Sequence, residues 1–146
     1  IEKLAKLGNP NAIDFPRPML NQKNYDFSFS GLKTAVLYYL RDNSVNLKTD
    51  VAASFQQAAF DVLIRKTLRA AQEFKVKSIF ISGGVAANKT LKKEFQKAVK
   101  KSQITDCQLL ITQFPTDNAA MIAAAGYVNY LKNKNRRLIA RGNLSI

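Results

Sequence analysis

The side chains with the clearest chemical potential in this sequence sit in two short loops. One is Ile81-Ser82-Gly83-Gly84-Val85-Ala86-Ala87-Asn88 and the other is Phe114-Pro115-Thr116-Asp117-Asn118, and each follows directly on a β-rich run. A glycine pair at the end of a strand lets a ligand approach the backbone, and ligands of open α/β sheets bind beyond the carboxyl ends of the strands. The helix expected after Gly83-Gly84 would offer backbone N–H groups and a positive dipole end to an anion or a polar ring. The Asn88 amide could add a bidentate contact to a nucleotide. By itself, however, a glycine pair mostly serves a tight turn and an Asn at that point mostly caps the helix, so the motif alone is a weak sign of nucleotide binding. Asp117 suits a hard cation or a nucleotide contact. A helix N-cap is the commoner use of that position, and one carboxylate is not a metal site.

The elements that must position these loops can be read from spacing. Ile1 to Leu7 has helical spacing and stops at Gly8, which suits a left-handed helix end. From Asn9 to Ser30 the Pro and Asn content rises, and the segments around Phe15 and over Asp26-Phe27-Ser28-Phe29-Ser30 alternate as strands do, so a small β element is expected. Gly31 opens a helix carrying Leu32, Ala35, Val36, Tyr39 and Leu40 on one face. A longer helix is expected from about Lys48 to Phe74, with Val51, Phe55, Ala59, Val62 and Leu63 at helical intervals. Ser78 to Ser82 reads as a strand, Asn88 to Lys101 as a helix, and Gln108 to Thr112 as a second, buried strand. Thr116-Asp117-Asn118 has the look of an N-cap before the small-residue helix Ala119 to Leu131, which core packing explains in full. Strand, helix, strand, helix implies a parallel pair joined by a right-handed crossover, so the class is α/β, with residues 1–146 forming a single domain.

Composition bounds the partners. The chain has 146 residues, 47% of them hydrophobic, which is enough for one core. Lys+Arg number 23 against 10 Asp+Glu, for a formal net charge of +13 and a pI near 10.0, which points to an acidic partner, nucleic acid first, unless the bias merely follows genome composition. Lys89, Lys93, Lys97 and Lys100 share one helix face, with Lys92 and Lys101 nearby, and a second basic cluster holds Lys132, Lys134, Arg136, Arg137 and Arg141. No aromatic for base stacking shares the Lys89–Lys100 face, Phe95 falling on the opposite side, and none is interleaved in the second cluster, so these residues suit phosphate neutralisation and not sequence readout. Cys107 is the only cysteine, which excludes an internal disulfide and fits a reducing, cytoplasmic setting. No membrane span or signal peptide is visible. There is no histidine, so imidazole chemistry must come from elsewhere.

In order along the chain, four segments resemble one family. Phe27-Ser28-Phe29-Ser30-Gly31-Leu32-Lys33-Thr34 resembles the FSFSGLKT signature of the tRNA threonylcarbamoyladenosine transferases, and Ala53-Ser54-Phe55-Gln56-Gln57-Ala58 resembles their A-x-F-Q-x-A helix. Ser82 to Asn88 resembles their GGVAAN loop, and Thr116 to Ala123 their TDN-x-AMIA segment. The resemblance implies the C-terminal lobe of an actin, hexokinase and Hsp70-like (ribonuclease H-like) fold, in which two lobes close on a nucleotide. In that family a Gly-Gly-Pro turn precedes the segment matching Ile1-Glu2-Lys3-Leu4-Ala5, and the N-terminal lobe carries paired histidines of a metal site; neither is in this sequence. The resemblance gives Asp117 the role of metal ligand, to iron or zinc, and gives Glu2, Gly83, Gly84 and Asn88 the binding of threonylcarbamoyl-AMP. It assigns no catalytic side chain here. The implied reaction transfers the threonylcarbamoyl group to the adenosine beside the anticodon of tRNA, with partner proteins of the same synthesis complex, and the chain alone is expected to be inactive. Two departures are Pro115, where bacterial members often have Cys, and Glu2, where many have Asp. The competing reading is a non-catalytic nucleotide-binding or interaction module of a multi-subunit assembly. An older glycoprotein endopeptidase reading finds no support, since there is no His to activate a Ser or Cys and no zinc-protease motif.

Overall fold

A 26-residue helix, Lys48–Glu73, is the spine on which the other elements gather. In this computed structural model, which describes residues 1–43, 48–102, 104, 107–114 and 116–132, the order is α1 (Glu2–Ala5), α2 (Ser30–Asp42), α3 (Lys48–Glu73), β1 (Ser78–Ile81), a 3-10 turn (Gly84–Ala87), α4 (Lys89–Lys101), β2 (Gln108–Ile111) and α5 (Ala119–Leu131). Pro115 and the basic tail from Lys134 through Arg141 lie outside the described residues. The small faces of α3 seat its neighbours. Ala52 and Ala53 let α1 approach through Ala5, while Val51 and Ala58 pack with Phe15 and Leu32 of the loop and α2. Farther along, Phe60 meets Leu91 and Phe95 of α4, with Ile81 and Leu109 of the sheet against the same cluster. Burial of these side chains is the main stabilising term, about 1.5–3 kcal/mol for each large one.

The strands pair in parallel, Ser78 opposite Gln108 through Ile81 opposite Ile111, giving a two-stranded sheet and the α/β class expected. The strands are less covered than their composition suggests. Ile79 and Ile81 face the helices, but Phe80 is 63% exposed and Leu110 is exposed beside it. A short parallel pair with helices on one face leaves the alternate side chains in solvent. The small-residue helix α5 is likewise not a core element of the described residues, because none of its side chains is buried.

Residues 9–30 form no strand, contrary to the alternation read from sequence. The segment finds its hydrogen bonds on α3 and not in a ladder. Asp50 Oδ1 accepts from the Asn9 N–H at 2.7 Å, Ser54 Oγ accepts from the Ile13 N–H at 3.1 Å, and Arg17 Nε donates to Asp61 at 3.1 Å. Arg69 donates to the carbonyls of Gln22 and Asn24 at 2.7 and 2.8 Å, and buried Lys66 donates to the Asp26 carbonyl. Pro10, Pro16 and Pro18 remove donors that a strand would need. Gly8 also has a different role from the one expected. Its φ is not positive, and α1 has already ended at Ala5; a Cβ on Gly8 would stand 2.1 Å from the Thr49 carbonyl oxygen, so glycine is required where the loop crosses the first turn of α3.

Candidate functional site

The glycine turn after β1 is built for close approach. Gly83 has φ 91° and ψ 170°, a conformation costly to any residue with a Cβ, and it is the only glycine with positive φ among the described residues. A Cβ placed on Gly84 would meet nothing within 4 Å, so open space lies in front of it. The turn then passes to Asn88, which caps α4: its Oδ1 accepts from the N–H groups of Thr90 at 2.9 Å and Leu91 at 3.1 Å. The Asn88 Nδ2 donates to Gln56 Oε1 of α3 at 2.9 Å.

Glu2 reaches the same point from the start of the chain. Its Oε1 accepts from the Lys89 N–H at 3.1 Å and lies 3.3 Å from Lys6 Nζ. The Lys92 N–H donates to the Asn88 carbonyl. All four leading N–H groups of α4 are therefore taken within the chain, which corrects the expectation that this helix end offers free donors to an anion. The capping role of Asn88 is real, and the residue also lines a cleft.

That cleft, of about 510 Å³, has an apolar floor of Phe29, Phe55, Ala59, Phe60 and Leu63. Its rim carries Glu2, Gln56, Asn88 and the Gly84–Ala87 turn. An apolar slot with a few convergent polar groups at one edge accommodates a flat ring whose heteroatoms lie at its margin. A larger hollow of about 640 Å³ between α2 and α3 is lined by Val36, Leu40, Val51 and Phe55 together with Ser30, Lys33 and Lys48, and contains none of Glu2, Gly83, Gly84, Asn88 and Asp117.

Of the residues singled out in the sequence, Glu2, Gly84 and Asn88 come together on the cleft, and Gly83 sets the turn beside it. Asp117 stands apart. Because the pair is parallel and the Thr112 N–H donates to the Ile81 carbonyl at 3.1 Å, the segment carrying Asp117 leaves the same sheet edge as Gly83-Gly84. Asp117 is exposed, is not in the cleft lining and has no bonded partner among the described residues. The helix cap expected of this segment is Asn118, whose Oδ1 accepts from the Met121 N–H at 3.1 Å. No group of three His, Cys, Asp or Glu able to hold a metal occurs among the described residues. A carboxylate suits a divalent cation as one donor, but the described residues do not by themselves make a metal site.

Gln56 was not assigned a role from sequence. The signal was present: Ala52, Gln56, Ala59, Phe60 and Leu63 share one face of α3, and an amide in an otherwise apolar stripe needs a partner.

A parallel pair whose carboxyl ends open beside a polar-rimmed cleft defines an α/β protein with a cleft at the end of its sheet, the place where open α/β sheets hold their ligands. The chain belongs to the tRNA N6-adenosine threonylcarbamoyltransferase (TsaD) family, whose model matches residues 1–124. It is 49% identical to the tRNA N6-adenosine threonylcarbamoyltransferase of Thermosipho africanus and 47% identical to that of Thermosipho melanesiensis, in both cases over all of this chain and 45% of the relative. The protein of the same name from Moorella thermoacetica is 46% identical over 90% of this chain and 40% of its own length. The chain thus spans less than half the length of the curated relatives it matches.

Proposed function

We propose that this chain is the C-terminal lobe of an actin-like, two-lobed tRNA threonylcarbamoyladenosine transferase, and that its cleft forms one wall of the site for threonylcarbamoyl-AMP. The observation that carries this reading is the convergence of Glu2, Gln56, Asn88 and Gly84 on one apolar slot in a chain of that family. The slot takes the nucleoside part, with the Glu2 carboxylate and the Asn88 amide at its polar margin. In the reaction the amine of the target adenosine forms a C–N bond to the carbamoyl carbon, the bond from that carbon to the phosphate oxygen breaks, AMP departs and the amine loses a proton. Asp117 would contribute one carboxylate to a divalent iron or zinc ion whose other ligands lie outside this chain, and such an ion would polarise the carbonyl.

For the tRNA, the supporting feature is α4. Lys89, Lys93, Lys97 and Lys100 are exposed on the side opposite buried Leu91 and Phe95, and only Lys97 is paired, with Glu94 at 3.0 Å. The stripe starts at the cleft rim, so a phosphate backbone laid on it brings a nucleotide to the cleft. Partner proteins of a synthesis complex and a cytoplasmic setting belong to the same reading; no helix among the described residues is long and apolar enough to cross a membrane.

The test is the yield of threonylcarbamoylated adenosine in tRNA, measured by mass spectrometry with the full-length protein and its partners. Asn88→Ala should lower the rate at least tenfold, and an unchanged rate would remove the cleft from the reaction. With Lys93, Lys97 and Lys100 changed to Gln, the salt dependence of tRNA affinity should flatten by about 0.7–0.9 in log–log slope per lost phosphate contact. An unchanged slope would place the tRNA elsewhere.

A further inference from the structure

We infer that Gln56 contacts the ligand directly and helps select it, its amide NH2 donating to an acceptor atom of the bound nucleoside. This rests on the reading of the cleft as a nucleoside site. The hydrogen bonds around Asn88 fix which end of each amide faces the other. Asn88 Oδ1 accepts from two backbone N–H groups, so the other end of that amide is the NH2. Being a donor, it requires an acceptor opposite, and so the Gln56 atom 2.9 Å away is Oε1. The Gln56 Nε2 is thereby turned away from Asn88.

That nitrogen carries two N–H groups and has no partner among the described residues, although Gln56 as a whole is only 9% exposed. It is not among the buried polar atoms cut off from solvent, and the side chain lines the cleft. A donor left without a protein partner above an apolar floor of Phe55 and Phe60, and still open to the cleft, is placed to receive an acceptor atom of a ligand. A site built to hydrogen-bond an acceptor rejects a ligand lacking it far more strongly than an apolar pocket rejects a missing methylene. The Glu2 carboxylate, which lines the same cleft, is an acceptor. The cleft therefore holds both a donor and an acceptor, which suits the edge of a purine or a ribose.

Gln56→Glu separates the two halves of the amide. Measured at pH 8, where the carboxylate is ionised, it still accepts from Asn88 but can donate nothing. Gln56→Ala removes both functions. In the full-length protein with adenosine as the probe, an uncharged ligand that the new carboxylate does not repel, titration calorimetry should show both variants binding at least tenfold more weakly. Amide exchange at Thr90 and Leu91 should stay protected in Gln56→Glu, since the Asn88 cap is kept. Among 1-deaza-, 3-deaza- and 7-deazaadenosine and the 2′- and 3′-deoxyadenosines, at least one should lose the same factor with the unsubstituted protein and nothing with Gln56→Glu. Adenosine binding by Gln56→Glu equal to that of the unsubstituted protein would overturn the inference alone, as would loss of binding accompanied by loss of protection at Thr90 and Leu91. No adenosine binding by the unsubstituted protein would overturn the nucleoside reading of the cleft, and this inference with it.

Discussion

Helices α4 and α5 have the same length, 13 residues, both follow a strand of the same parallel pair, and both begin at an asparagine cap. They differ in everything beyond the cap. Asn88 closes two N–H groups, is braced by Gln56 and is joined by Glu2 on the next donor, while its helix buries Leu91 and Phe95 against α3. Asn118 closes one N–H group and holds the Thr116 carbonyl, and its helix buries nothing, although Met121, Ile122, Val128 and Leu131 make it apolar. A cap is enough to start a helix and not enough to seat one. The cleft stands on the seated helix, and Asp117 precedes the unseated one.

Substitutions along the two helices test whether this contrast is energetic. Phe95→Ala should be the most damaging, by about 3–5 kcal/mol, because it empties the contact between α4, Phe60 and the sheet; denaturant unfolding of the chain would show it, and a loss below 1 kcal/mol would mean that α4 is no better seated than α5. Gly83→Ala comes next, costing roughly 1–3 kcal/mol from its positive φ alone, and the shift in unfolding midpoint measures it. Asn88→Ala should cost about 1–2 kcal/mol through the lost cap and the stranded Gln56 oxygen. Asn118→Ala should cost less than that, about 0.5–1 kcal/mol; equal costs for the two caps would mean that bracing by Gln56 adds nothing to the Asn88 cap. Ile122→Ala, at a residue 76% exposed, should stay within about 0.5 kcal/mol of zero.

The helices and strands were legible because their signals are local. The 3.6-residue spacing of Val51, Phe55, Ala59 and Val62 marks α3, and the β-branched run before Gly83 marks β1. The loop over residues 9–30 does not form the strands its alternation suggests because its bonds go to α3 side chains forty or more positions away, and alternation cannot distinguish a strand from a segment held that way. The cleft was half legible. Gly84 and Asn88 stand in one motif, but the closing of the Lys89 N–H by Glu2 spans 87 positions, and only the fold brings the two together. The seating of α5 was over-read, since small apolar residues state that a helix can be packed closely without stating that anything in the same chain does so.

Lys66 and Arg69 grip the segment before α2 chiefly through main-chain oxygens, those of Asp26, Gln22 and Asn24. A carbonyl is present whatever the side chain, so the gripped segment can change much of its spelling without slipping. The two cations have no such latitude: losing either leaves several acceptors orphaned at once. Mutational tolerance should therefore be lopsided, broad in the loop that is held and narrow in the helix that holds it.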